Sequence, residues 1–211
     1  IKELGRIGAI TGGGVCRLAL SDEDHEGRDL IVRWMSDLGL SIQVDRIGNV
    51  IGTRAGILDS PPVMVGSHID SVATGGLYDG ALGVLAGLEA IQTLNEADLK
   101  TQYPIAVGFF TNEEGVRFTP DMMGSAVHQG SLSLETALET VGTDGQTVGA
   151  ELTRIGYAGD TPVKNMTPRA YLEFHIEQGH VLENTNTTVG AVTGVQGISW
   201  TEFELQGVSN H

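Results

Sequence analysis

Basic residues are scarce: 12 Lys and Arg stand against 27 Asp and Glu, for a formal charge of -15. Phosphate neutralisation by a nucleic-acid binder needs clustered Lys and Arg, and no basic run is present, so that class is excluded. Cysteine is nearly absent. Cys16 alone cannot close an internal disulfide, which favours a reducing, cytoplasmic compartment over secretion. Its plain reading is a small buried hydrophobe. No apolar run reaches the roughly 18 to 20 residues that a membrane span needs, and no signal peptide opens the chain. Internal repeats and low-complexity segments are lacking too. The Gly12-Gly13-Gly14 run has neither a preceding strand nor the GxGxxG spacing, which excludes a dinucleotide loop there.

What is present suits a globular α/β protein. The 211 residues, 40% of them hydrophobic, can bury a sizeable core in one or two domains. Ser21 followed by Asp22–Glu26 reads as a helix N-cap with acidic residues at the positive end of the dipole, rather than as a calcium site. Apolar spacing predicts a helix over Asp29–Leu40, closed by Gly39. Ser41–Ile47 and Val50–Arg54 read as a strand pair around Gly48-Asn49. Val63–Gly66 and Ile105–Phe110 read as short buried strands, and Ala81–Leu94 as a buried helix. Leu132–Leu138 and Val148–Ile155 read as surface helices. Ala170–Glu177 alternates, with Glu173, His175 and Glu177 on one face. Val189–Val195 and Ile198–Leu205 are expected as closing strands. Strands interleaved with helices imply layered α/β architecture, whose ligands gather at the carboxyl ends of strands.

Four short stretches carry the chemistry: GSHIDS (66–71), YDG (78–80), TNEEG (111–115) and HIEQG (175–179). Each brings a His or a carboxylate to a strand end or glycine turn. A co-catalytic metal pair needs a bridging carboxylate, terminal His or carboxylate ligands and room for water. Asp79, at a helix start, suits the bridge. His68, His175 and Glu114 suit terminal positions, and Asp70 could orient the His68 ring through its free N–H. Glu113 is then left to take a proton from water. Each residue also has a bland reading, as a hydrogen-bonded His, a turn Asp or a solvated Glu, and spacing alone does not choose. His25, His128 and His180 read as structural.

The order and wording of these motifs, with GVLAGLEAIQTLNE (83–96) and EEGVRF (113–118), resemble the M20 metallopeptidase superfamily. Within it they resemble the hydantoinase/carbamoylase branch of N-carbamoyl-L-amino acid hydrolases, allantoate amidohydrolases and β-ureidopropionases. The resemblance implies a layered α/β/α, zinc-peptidase-like catalytic domain. It implies two divalent metals (zinc, manganese, cobalt or nickel): His68, Asp79 and His175 on one, Asp79 and Glu114 on the other, with Glu113 as general base. It also implies a cis Asp79-Gly80 bond, a substrate contact at Gln178, and an oxyanion-polarising His211 that reaches the site of a partner subunit in a homodimer.

Family chains run to roughly twice this length, as a second domain of about 100 to 150 residues would require. Residues 1–206 are therefore expected to be the N-terminal part of the catalytic domain, and 207–211 the start of a lid and dimerisation domain. The missing remainder would carry a further His ligand and an arginine for the substrate carboxylate. The expected activity is hydrolysis of N-carbamoyl-L-amino acids to the amino acid, ammonia and carbon dioxide. Allantoate or N-carbamoyl-β-alanine hydrolysis, a dipeptidase or deacylase, and a non-catalytic binding domain are the alternatives.

Overall fold

Ser21 starts the first long helix as its chemistry requires. Its Oγ accepts from the Asp24 amide while the Asp24 carboxylate accepts from Leu20 N. The computed structural model describes residues 1–199, 201 and 203–210. In it α1 runs over Asp22–Asp37, seven residues earlier than apolar spacing predicts. The first two turns are polar, so hydrophobic periodicity does not register them and only the cap does.

One mixed sheet carries the fold, from β1 (Ser41–Val44), β2 (Val50–Arg54), β3 (Val63–Ser67), β4 (Ile105–Phe109) and β5 (Ala170–Leu172). Their order is β1-β2-β4-β3-β5. The first pair is antiparallel, whereas β3 runs parallel to both β4 and β5. Between β1 and β2 the Asp45 carboxylate accepts from the amides of Ile47 and Asn49, which ends β1 at Val44 instead of Ile47. Helix α2 (Ala81–Glu96) packs on β3 and β4. Val50, Val107 and Phe109 join Ile31 and Met35 of α1 and Val84 and Ile91 of α2 in the main core. The opposite face carries a smaller cluster of Ile51, Met64 and Ala106. Short helices α3 (Met123–Gln129), α4 (Leu134–Glu139) and α5 (Val148–Arg154) lie between β4 and β5 in sequence. The α/β class expected from the pattern is the observed one.

Inside the core, Arg28 donates to Asp24 at 2.8 Å and to the Gly48 carbonyl, and it lies over the Phe109 and Tyr157 rings. Both members of the ion pair are essentially inaccessible, at 1% and 0% side-chain exposure. Removing one buried partner strands the other's charge, so Arg28→Ala is expected to cost about 3–5 kcal/mol. Urea unfolding would show this as a lowered midpoint, and an unchanged midpoint would contradict it.

The chain divides into two units, Ile1–Ile176 and Glu177–His211. The second contains α6 (Val181–Asn184), whose first amides, Val181 N and Leu182 N, donate to the Glu177 carboxylate. The strands expected over 189–195 and 198–205 are not found among the described residues, where Val192, Val195, Phe203 and Leu205 are strongly exposed. Residues of high strand propensity make a strand only where a neighbouring ladder accepts their backbone bonds. No helix among the described residues is long and apolar enough to cross a membrane.

Candidate metal centre

Three parallel strands deliver their carboxyl ends to one edge of the sheet. Ser67 at the end of β3 pairs with Phe109 at the end of β4, and Val65 with Leu172 at the end of β5. His68 follows β3, Glu113 and Glu114 follow β4, and His175 follows β5. Asp79 arrives from the loop before α2, one residue ahead of the Gly80 N-cap.

His68 is the hub. It is buried, with its Nδ1 2.9 Å from the Asp70 carbonyl oxygen. Its Nε2 lies 3.8 Å from Asp79 Oδ1 and 3.4 Å from Glu113 Oε2. His175 Nε2 stands 3.1 Å from the same Asp79 oxygen. Two groups of ligand atoms result, each within 4.8 Å of one another: His68, Asp79 and His175, and His68, Glu113 and Glu114. The first is the trio expected from the resemblance. The second joins Glu113 and Glu114 to His68, whereas the resemblance joins Glu114 to Asp79.

Two local expectations are corrected. The His68 ring is oriented by the Asp70 backbone carbonyl, because the Asp70 carboxylate, 3.9 Å from Nδ1, is turned elsewhere. Its two oxygens accept from the amides of Glu113 and Glu114, both at 3.2 Å. Asp70 therefore shapes the turn that presents the Glu pair. The Asp79-Gly80 bond is not cis; the cis bond among the described residues is Thr119-Pro120. The chain redirects instead through a γ-turn: Gly80 has φ 62° and ψ -53°, and Ala81 N donates to the Asp79 carbonyl at 2.5 Å. A γ-turn of that hand is strained for residues with a Cβ.

Asn49, which carries no site motif in the sequence, is buried behind the β4 exit that leads to the Glu pair. Its Oδ1 accepts from Thr111 N and its Nδ2 donates to the Gly124 carbonyl, tying the β4 exit to α3. The only hint was its place in a Gly48-Asn49 turn. Gln178 lies in the second unit with a positive φ of 51°, and His211 lies outside the described residues.

Electrostatics single out the same edge. Burial pushes the Glu114 carboxyl up to about 7, with the His68 ring opposing and Asp79, Asp70 and Glu113 adding to the rise. Burial likewise raises Glu113 and Asp70. Burial works against a charged His68, but Asp70 and Glu113 outweigh it and raise that ring. Desolvated carboxylates crowded around imidazoles are the donor set that a divalent cation relieves, and mixed nitrogen and oxygen ligands suit zinc, manganese, cobalt or nickel. The residues present fit such a metal. Asp70→Ala leaves the Glu113 and Glu114 amides without their acceptor. It is expected to lower cation affinity 10- to 100-fold, as titration of the metal-stripped protein would show; unchanged affinity would contradict the role given to Asp70.

Fold and site together define an α/β protein with a His–carboxylate metal-binding cluster at the carboxyl edge of its sheet. Residues 49–155, just over half of the chain, match the family described as Peptidase family M28. The chain belongs to that family. It is 46% identical over 212 residues to an N-carbamoyl-L-amino-acid amidohydrolase of Rhizobium meliloti, which covers 100% of this chain and 51% of that protein. An N-carbamoyl-L-amino acid amidohydrolase of Geobacillus stearothermophilus is 42% identical over 216 residues, again covering 100% of this chain and 53% of its own length. The crystal structure of a hydantoinase/carbamoylase family amidase from Burkholderia multivorans superposes with a TM-score of 0.86 at 51% identity, over 88% of this chain and 45% of that one. The resemblance to the hydantoinase/carbamoylase branch is thereby borne out. The chain spans about half the length of the curated relatives it matches.

Proposed function

We propose that this chain is the metal-binding part of an amidohydrolase that cleaves the carbamoyl C–N bond of N-carbamoyl-L-amino acids. The observation that carries the reading is the meeting of His68, Asp79 and His175 beside the Glu113-Glu114 pair. The activity of the similar N-carbamoyl-L-amino acid amidohydrolases supports the choice of substrate.

His68, Asp79 and His175 would hold one divalent cation, and Glu114 with Asp79 a second. Such cations polarise a carbonyl oxygen and make water easier to deprotonate. Glu113, at the mouth of the cluster with 36% side-chain exposure, takes a proton from water as that water adds to the carbamoyl carbon. As the C–N bond to the amino-acid nitrogen breaks, Glu113 returns the proton to the leaving nitrogen. The carbamic acid released falls apart into ammonia and carbon dioxide, so atoms and protons balance. Gln178 contacts the substrate, and His211 of a partner subunit polarises the scissile carbonyl. Residues 207–211 open the lid domain in this reading. A cytoplasmic homodimer belongs to it as well, resting on the lone Cys16 and on the family resemblance.

The test is ammonia release by the full-length protein, stripped of metal and reloaded with manganese or zinc. N-carbamoyl-L-amino acids are expected to turn over well ahead of N-carbamoyl-β-alanine, allantoate and N-acetyl-amino acids, the last followed by amino-acid release. Preference for allantoate or N-carbamoyl-β-alanine would keep the centre and change the substrate. Silence on the whole panel, with cations bound, would sink the reading.

A further inference from the structure

The ladder between β3 and β5 stops at Val65 and Leu172, three residues short of His175. Continued in register, it would set Phe174 beside Ser67 and His175 beside His68. Past Leu172, however, no β5 backbone bond carries that register, and an edge segment without its ladder drifts. Yet His175 Nε2 sits 3.1 Å from Asp79. Something other than sheet pairing holds it there.

Side chains supply the hold. Ser67, the last residue of β3, donates from Oγ to Glu173 Oε1 at 2.5 Å. Tyr171 OH donates to the other oxygen, Glu173 Oε2, at 3.2 Å. One carboxylate thus ties the β5 extension across to the strand that ends at His68. A second contact presses on the same segment from α2. A Cβ at Gly83 would lie 2.9 Å from the Phe174 carbonyl oxygen and 2.9 Å from Ser67 Cβ. The bare glycine lets α2, the helix whose start carries Asp79, lie directly against both. Glu173 also lines a cavity of about 450 Å³ together with Ser67, Phe110, Glu113 and Tyr171.

We propose that Glu173 is a positioning residue, which clamps the β5 extension to Ser67 so that His175 meets Asp79 and His68 in cation-binding geometry. Its role is to accept hydrogen bonds; it does not ligate. This rests on the reading of His175 as a cation ligand, and the test separates the two. Hydrogen-bonded supports of metal ligands are worth about 10- to 100-fold in metal affinity.

Manganese would be titrated calorimetrically into the metal-stripped full-length protein and its variants, with thermal melting run in parallel. Glu173→Ala is expected to weaken the binding 10- to 100-fold, and Ser67→Ala to do much the same. Glu173→Gln keeps an acceptor for Ser67 and is expected to stay within about 3-fold of the parent. Because Ser67 and Glu173 act through one bond, the double variant Ser67→Ala with Glu173→Ala should be no weaker than the worse single. Unchanged manganese affinity in Glu173→Ala overturns the proposal, even if its melting temperature falls, since that is what a purely structural residue would do. Glu173→Gln as weak as Glu173→Ala also overturns it, because charge would then matter and the clamp would not. His175→Ala is the control. If it binds manganese as the parent does, the ligand reading fails and takes the clamp with it. If it weakens binding while Glu173→Ala does not, the clamp alone fails.

Discussion

Glu113→Gln in the full-length protein is expected to lower turnover of an N-carbamoyl-L-amino acid about 10³-fold, within the 10²- to 10⁴-fold range of a general base, while both cations stay bound. The geometry makes this a demanding test. Ligand atoms of Glu113 and Glu114 both lie within 4.8 Å of a His68 ring nitrogen, so the base is told from the ligand by reading metal content and turnover together. An amide cannot accept the proton from water, but it occupies the same volume. Glu114→Gln is expected to behave differently, losing one cation equivalent along with activity. Metal content by elemental analysis beside ammonia release separates the two. A Glu113→Gln protein that loses a cation would exchange the roles of the pair. One that keeps both its metal and its turnover would remove the base from the mechanism.

The second large effect belongs to a residue with no side chain. Gly80→Ala would place a Cβ 2.5 Å from three atoms of the His68 ring, at a backbone φ of 62°. Real Cβ atoms do not approach so closely. His68 is buried, and moving its ring would change the spacing of Nε2 from Asp79 and Glu113. Strain at such a backbone position alone costs about 1–3 kcal/mol, and displacing the hub ligand adds to it. We expect Gly80→Ala to weaken manganese binding by more than about 100-fold, beyond the usual effect of losing a ligand's hydrogen-bonded support, and to lower the melting temperature. Gly76→Ala is the matched control, since nothing stands within 4 Å of a Cβ there and its φ is ordinary; it should leave both readouts alone. Full cation affinity in Gly80→Ala would mean that His68 is not held by this contact.

Much of this was legible in local chemistry. Ser21 and Asp24 mark a helix start through a cap that needs only neighbouring residues. Val63–Ser67 and Ile105–Phe109 are short apolar runs bounded by breakers, and they became β3 and β4 within a residue of expectation. His68, Asp79, Glu113, Glu114 and His175 are announced by glycine turns at strand ends, and the fold brings them to one edge. The Glu173, His175 and Glu177 alternation put Glu173 on the ligand's face of the strand without assigning it work.

What neighbouring residues could not decide was everything that depends on a distant partner. Asp70 looked like a support for His68, two residues away, but its carboxylate serves amides more than forty residues on. Asn49 looked like a turn residue and proves to tie Thr111 to Gly124. The run 189–195 was expected as a strand, and among the described residues no ladder receives it. Turns, caps and apolar periods are set by forces acting over a few residues, so the chain spells them out. Hydrogen-bond partners, strand neighbours and the choice of which carboxylate faces which imidazole are set by the order β1-β2-β4-β3-β5, and that order exists only once the chain has folded.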